Sequence, residues 1–384
     1  MKQYNYLGLF SGAGGLDLGF ENSGFNHIES NEILPYASET LKINRPNWNV
    51  IEGDVRGYRP RFKGDVDVLL AGFPCQGFSL GGHRNPDDDR NGLYREVIRI
   101  AKENLPRVIV LENVLNLRTM KHPETGKPFA QQIAEELYEI GYQTTFDFFK
   151  VCYHGVPQTR RRFIFVAFLG EIPPYFSMPE VERLTSIKRF IYELGQDETV
   201  KLPNHKPKWG FKSYAHKETH EPYEIEEAVP VRFSRTASVG FPIRNWDEPF
   251  PAVDTATVWG WAKGNVRAFQ IQKDRENELY VRSKKSKAPL WRIEASHLRS
   301  FTAREYARLQ TFPDSWKFIG KNKRELQLQI GNAVPVIFAE KIGDCIKRTL
   351  EMQDGIRPIH YHHQDQLQLF KEESPNIAPT SMRL

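Results

Sequence analysis

Apolar positions fall into two alternating rhythms over the first 170 residues. Tyr6–Phe10 is a short apolar run, and His27–Asn31, Asn49–Asp54, Val66–Ala71 and Val108–Glu112 read as the next strands. Between them lie stretches with helical spacing. Gly14–Gly24 carries Leu16, Leu18 and Phe20 among its apolar residues. Leu93–Asn104 sets Leu93, Val97, Ile98 and Ala101 at i, i+4, i+5 and i+8, one stripe of a helix. Phe129–Ile140 repeats that pattern. Thr144–Val151 and Arg162–Phe168 have no long helix between them, so they predict a hairpin-like antiparallel edge. Strand–helix alternation with apolar, β-branched strands predicts an α/β fold: a doubly wound, mostly parallel sheet.

Beyond residue 180 this rhythm stops. Two segments, NHKPKWGFKSYAHKETH and DTATVWGWAKGNVRAF, interleave basic and aromatic residues. Periodicity returns at Thr302–Gln310 and Ile337–Met352. The pattern divides the chain into residues 1–180, a smaller second domain over 181–295, a return to the first domain over 296–352, and a polar tail over 353–384. No internal repeat is visible.

The 384 residues are ample to bury a core without a disulfide or metal staple. Cys75, Cys152 and Cys345 are the three cysteines. Their number and spacing suit neither a disulfide framework nor a zinc site, and the simplest setting is the reducing cytoplasm. The opening MKQYNYLGLFSGAGG lacks the apolar stretch of a signal peptide, and no apolar run reaches membrane-spanning length. The formal net charge of +5 permits a polyanionic partner without requiring one, and on charge alone an ordinary soluble protein is the better reading.

Ligands on such sheets bind beyond the carboxyl ends of the strands. Phe10-Ser11-Gly12-Ala-Gly14-Gly15 lies there, between the first strand and the first helix. Its glycines allow tight turning and close approach of a ligand to the backbone. Glu32 ends the second strand, where a carboxylate can accept from both hydroxyls of a ribose. Asp54 ends the third, where a carboxylate can accept from an adenine amine. Each acid alone is most simply a solvated loop carboxylate. Together with the glycine turn they point to an adenosine-containing cofactor, and a nicotinamide dinucleotide remains open.

Ala71-Gly-Phe-Pro-Cys75-Gln-Gly-Phe-Ser79 follows the fourth strand at the same edge. Most lone cysteines are inert small hydrophobes. This one sits in a Gly/Pro-bracketed turn, and a reactive thiolate needs positive surroundings, which Arg160 and Arg162 of Gln158-Thr-Arg-Arg-Arg162 can supply. Glu112, in Glu112-Asn-Val114, is a carboxyl at a buried strand end, where desolvation raises its pKa towards the range of a general acid.

The set resembles the DNA (cytosine-5) methyltransferase family. The Phe-x-Gly-x-Gly turn, Pro-Cys-Gln, Glu-Asn-Val, Gln-x-Arg-x-Arg and a late Gly331-Asn-Ala-Val-Pro335 occur here in that family's order. So does Leu298-Arg-Ser-Phe-Thr-Ala-Arg304-Glu-Tyr-Ala-Arg-Leu-Gln310-Thr-Phe-Pro313. The likeness covers about residues 4–170 and 297–350. Phe73 precedes Pro74 where many members carry a second proline.

The resemblance implies the class I S-adenosyl-methionine-dependent fold, a target-recognition role for residues 181–295, and duplex DNA as partner. Cys75 would add to carbon 6 of a flipped-out cytosine, Glu112 would bind N3 and the amine, and Arg162 the O2 side. Arg160 would position the loop and a phosphate. S-Adenosyl-methionine would lie against Phe10 and Ile33, with Glu32 on the ribose and Asp54 on the adenine amine. Ser11, Gly12, Gly14, Gly15, Val55, Gly72, Pro74, Leu93, Asn332 and Val334 would complete that pocket. DNA contacts are expected from Gln76, Ser79, Arg232, Arg235, Arg244, Thr255, Thr257 and Lys263. The loop Ser79–Asn91 would close over the DNA. No metal and no membrane are expected, the chain would act as a monomer in the bacterial cytoplasm, and a restriction endonuclease would act on the same site. A tRNA methyltransferase of the same family, a non-catalytic nucleic-acid-binding relative and a nicotinamide dehydrogenase are the competing readings.

Overall fold

The fold is that of a computed structural model, which describes residues 2–60, 65–74, 89–210, 213–216, 223–233, 246–255, 257–266, 268–270, 290–293 and 297–358. Its centre is a seven-stranded sheet. β1 (Asn5–Leu9) lies between β2 (Asn26–Glu32) and β4 (Val68–Ala71), parallel to both; β3 (Val50–Glu52) flanks β2, and β5 (Val108–Asn113) flanks β4. The order is completed by β7 (Arg161–Leu169) and then β6 (Tyr142–Lys150), both pairings antiparallel. The antiparallel edge read from the sequence is therefore present, with the later strand on the inside.

The strands alternate faces with period two. Leu7, Leu9, Leu69, Ala71, Ile109, Leu111, Phe163 and Phe165 point into one core, against α3 (Tyr94–Asn104) and α4 (Phe129–Glu139). Tyr6, Val68, Leu70, Val108, Val110, Ile164 and Val166 point into the other, against α1 (Gly15–Asn22) and α8 (Val336–Gln353). A sheet buried on both faces explains the near-continuous apolar runs of β4, β5 and β7. α2 (Pro35–Asn44) escaped the sequence reading because its buried apolar contribution is only Ala37 and Leu41, too thin a stripe to detect.

α8 brings the chain back beside α1. A Cβ on Gly19 would overlap Ala339, so the two helices touch through backbone. The Ser23 hydroxyl donates to the Glu340 carbonyl at 2.8 Å. The seven-stranded sheet domain is thus closed by residues more than three hundred positions from its first strand.

Between these halves of the sheet domain run α5 (Lys188–Gln196) and two small antiparallel sheets. One contains β9 (Tyr223–Phe233), β10 (Val258–Val266) and β13 (Leu298–Ser300); the other β8 (Ser213–His216), β11 (Ala268–Gln270) and β12 (Leu290–Ile293). β13 lies beyond residue 295, so the first small sheet draws a strand from the returning segment. Its core is shared too. Ile187, Ile191, Trp259 and Trp261 pack in one cluster with Phe301, Leu309, Trp316 and Leu41. α6 (Ala303–Leu309) opens with a capping box, Thr302 and Glu305 each accepting from the other's backbone N–H. Glu305 also accepts from the fully buried Arg299 and from the Trp261 indole at 2.7 Å. Arg304 donates to the carbonyls of Pro203, Pro313 and Trp316. These buried charges tie the inserted stretch to the returning one.

Candidate active site

A cavity of about 310 Å³ opens beyond the carboxyl ends of β1, β2, β4 and β5, within the range of small-molecule sites. At one end the chain leaves β1 through Phe10 and Gly12, each at φ 55°, and Gly14 at φ 84°. Left-handed backbone is ordinary for glycine and uncommon for phenylalanine, so the turn is held by its surroundings. Phe10, Ser11, Gly12 and Gly15 line the cavity. A Cβ on Gly15 would overlap the Val334 carbonyl, which is how the returning segment comes close enough to form a wall. Gly14 faces away: its Cβ would lie 2.6 Å from Leu41.

Glu32 sits 4% exposed at the end of β2. Gly12 N–H donates to its Oε2 at 2.7 Å and Leu34 N–H to its Oε1 at 2.8 Å. Burial raises its pKa, and these N–H groups hold the rise back. Ile33, 56% exposed, and Leu34 continue the wall, as do Gly72 and Pro74 after β4 and Asn332 and Val334 opposite. Ten of the fourteen cofactor residues expected from the sequence meet here.

Four do not. Besides Gly14, Asp54 caps a short 3-10 turn, accepting from Arg56 N–H at 2.9 Å and from its guanidinium at 3.1 Å. Val55 is buried in the sheet core and Leu93 packs against it. Conversely, Asp17, Arg90, Leu328 and Gln329 line the cavity and were not singled out. Asp17 was hidden among the apolar residues of the first helix. Leu328 and Gln329, on α7 (Lys323–Asn332), lie just ahead of Gly-Asn-Ala-Val-Pro, a proximity that was the available signal.

At the other end lies Glu112, 7% exposed, in direct ion pair with Arg162 from the antiparallel strand beside it. Desolvation raises the Glu112 pKa; the guanidinium opposes that rise. Asn113 carries the next contact. Its amide donates to the Phe73 carbonyl at 3.2 Å, tethering the turn that leads to Cys75. Cys75, Gln76 and Ser79 themselves lie outside the described residues.

Arg160, expected to steady that loop and a phosphate, is 2% exposed and donates inward, to Val253 at 3.0 Å, Gly331 at 2.8 Å and Asn332 at 3.4 Å. Gln158 likewise donates to Leu309 and Gln310 and accepts from Val253 N–H. In the Gln-x-Arg-x-Arg motif, the first two side chains join the sheet, the insert and the return, and the third reaches the cavity.

Among the expected DNA contacts, Lys263 is exposed, Thr255 and Thr257 half-buried. Thr257 donates through N–H and hydroxyl to the Asp254 carboxylate at 2.5 and 2.6 Å. Arg235 and Arg244 lie outside the described residues; Arg232 is in β9, across from Trp259, with only its backbone described. Trp259 and Trp261 are core residues. Among the described residues no helix is long and apolar enough to cross a membrane.

The donor set fits S-adenosyl-methionine. An anchored carboxylate suits a ribose diol, a glycine turn gives backbone access, and the apolar wall of Phe10, Leu16, Ile33 and Val334 suits a purine. The family model for C-5 cytosine-specific DNA methylases matches residues 4–348. The type II methyltransferase M.NgoMIV of Neisseria gonorrhoeae is 32% identical over 92% of this chain and 100% of its own. M.Eco47II of Escherichia coli, also a type II methyltransferase, is 31% identical over 91% and 80%. Among solved structures, a prophage-encoded protein from E. coli shares the fold at TM-score 0.61 and 23% identity, over 91% of this chain and all of that one. S. pombe Dnmt2 methyltransferase does so at TM-score 0.53 and 18% identity, over 92% and 99%. The chain belongs to the C-5 cytosine-specific DNA methylase family. It is an S-adenosyl-methionine-dependent DNA cytosine methyltransferase.

Proposed function

We propose that this enzyme methylates carbon 5 of a cytosine rotated out of a short, specific duplex site, through a covalent bond from Cys75 to carbon 6. The observation that carries the reading is the pairing of buried Glu112 with half-buried Arg162 at the mouth of a cavity whose far end holds the anchored Glu32.

Carbon 5 of cytosine is a poor nucleophile. Addition of the Cys75 thiolate to carbon 6 makes it enamine-like. Glu112, carrying a proton, donates to N3 and accepts from the exocyclic amine, and so neutralises charge building on the ring. Arg162 holds that carboxyl in place and faces the O2 side. S-Adenosyl-methionine supplies the methyl group. Loss of the carbon 5 proton to water then expels the thiolate and restores the ring. The base is inaccessible within the duplex, so it must leave the stack, at a cost of a few kcal/mol offset by contacts elsewhere. Within the cofactor site, Glu32 accepts from the ribose hydroxyls and Phe10 and Ile33 flank the adenine. For Asp54, which does not line the cavity and is held by Arg56, contact with the adenine amine would require release of that pair.

Residues 181–295 form the target-recognition region, with Arg232, Arg235, Arg244, Thr255, Thr257 and Lys263 as candidate readers and Gln76 and Ser79 on the catalytic loop. By its type II relatives, the enzyme protects a site that a restriction endonuclease cleaves. Cys75→Ala is expected to lower methyl transfer by several orders of magnitude while cofactor and DNA still bind. DNA containing 5-fluorocytosine should form a denaturant-resistant adduct with the wild type, because carbon 5 has no proton to lose. An adduct persisting in the variant overturns the assignment. Exchange of residues 181–295 with a relative of different specificity should transfer the methylated site in bisulfite sequencing; an active chimera that keeps the parental site places recognition elsewhere.

A further inference from the structure

Asp17 is a charged group in the cavity wall that the reaction as proposed does not use. It stands in the first turn of α1, 1% exposed, beneath the glycine turn. Its Oδ1 accepts from the hydroxyls of Ser11 and Ser30, both at 3.1 Å. The Ser30 hydroxyl in turn meets His27 Nε2 at 2.7 Å. The other acids of the wall are engaged differently: Glu32 takes two backbone N–H groups and Glu112 an arginine. Among the described residues no cationic side chain pairs with Asp17.

The backbone is cut to admit this carboxylate. A Cβ on Gly8, in β1, would overlap Asp17 Oδ1 and lie 2.8 Å from the Ser11 hydroxyl. Glycine there clears the space into which Asp17 extends. Burial lifts the Asp17 pKa to about 6, against the opposing pull of the two hydroxyls. A buried carboxylate on a cavity wall, hydrogen-bonded but with no cationic partner among the described residues, suits a cationic group of a ligand.

We infer that Asp17 binds the α-ammonium group of the cofactor's amino-acid moiety, through its carboxylate set under the glycine turn by Gly8, Ser11 and Ser30. This rests on the cavity being the cofactor site. The location agrees with it: the turn that would present backbone to the ligand lies directly above Asp17, whereas Glu32, suited to the ribose, stands at the end of the next strand. Asp17 is thereby a specificity-determining residue for the amino-acid end, complementary to Glu32 at the nucleoside end.

Calorimetry on the full-length protein with two probes tests this. S-Adenosyl-homocysteine carries the amino-acid group; 5′-methylthioadenosine lacks it. Asp17→Asn is expected to weaken S-adenosyl-homocysteine about 10- to 100-fold, the size of a lost charge-assisted hydrogen bond, and to leave 5′-methylthioadenosine unchanged. Asp17→Ser, smaller than the native side chain, should show the same selectivity and serves if the asparagine variant folds poorly. Equal weakening of both probes would make Asp17 a prop of the loop, and weakening of neither would leave it idle; either overturns the inference. Glu32→Ala should weaken both probes. If it weakens neither, the cofactor site itself is misassigned, an outcome separable from failure of the Asp17 step.

Discussion

The two ends of the cavity solve one problem in different ways. Glu32 and Glu112 are both buried carboxylates at the carboxyl ends of parallel strands, and desolvation raises the pKa of each. Glu32 is steadied by two backbone N–H groups, fixed dipoles that neither titrate nor move. Glu112 is steadied by an arginine side chain from a neighbouring strand. A site that only binds benefits from rigid, uncharged donors. A site that must hold a proton at one moment and release it at another benefits from a partner whose charge can be shared. The difference assigns binding to one end and chemistry to the other.

That division breaks most visibly at Glu112. Glu112→Gln keeps the shape but loses the titrating proton, and should lower kcat by about 10²–10³-fold with little change in S-adenosyl-homocysteine affinity. A matching loss of cofactor affinity in calorimetry would merge the two ends. Arg160→Met probes what holds them together. Three carbonyls would lose their donor, those of Val253 and Gly331 buried, which should destabilise the fold by roughly 2–4 kcal/mol in denaturant melts. Cofactor affinity should fall as well, since Asn332 sits on the cavity wall. An unaltered midpoint would mean the carbonyls find other partners.

Asp17 sharpens the contrast through pH. Its folded pKa of about 6 exceeds the ordinary carboxylate value, so its protonated form contributes stability below about pH 4, lost as pH rises through 6. At pH 8 that cost is about 3 kcal/mol. Asp17→Asn should therefore be more stable than the wild type at pH 8, with the advantage fading towards pH 4. Glu32 also titrates upwards nearby, while His27, held down to about 4, stays neutral across most of this window. A stability difference independent of pH would show that Asp17 is not ionised in the free enzyme. The smallest effect belongs to Glu32→Ala, about 1–3 kcal/mol of cofactor affinity with kcat at saturation preserved. A fall in kcat instead would place Glu32 in the chemistry.

Much of this was legible in the chain because it is local. The period-two strands, the left-handed turn at Gly12 and Gly14, and the acids at strand ends each depend on neighbours a few residues away. The motif residues of β5 and β7 meet because the antiparallel edge brings Glu112 opposite Ile164, two residues from Arg162. α2 was lost because two buried residues make no readable stripe.

Other features had no local signature. Nothing around Arg160 marks it as a donor to three carbonyls, two of them more than 170 positions away. Nothing near Gly8 announces that the missing Cβ makes room for Asp17, nine residues on and across a strand–helix turn. β13 joins a sheet whose other strands lie in the preceding region, so composition alone drew the boundary at 295 where the packing continues through it. By itself the sequence determined the strands, turns and reactive side chains, since these follow from short-range sterics and polarity. The tertiary structure alone decided which polar groups face the cavity and which are spent as internal brackets. That choice depends on where buried donors and acceptors find partners, and those partners come from far along the chain.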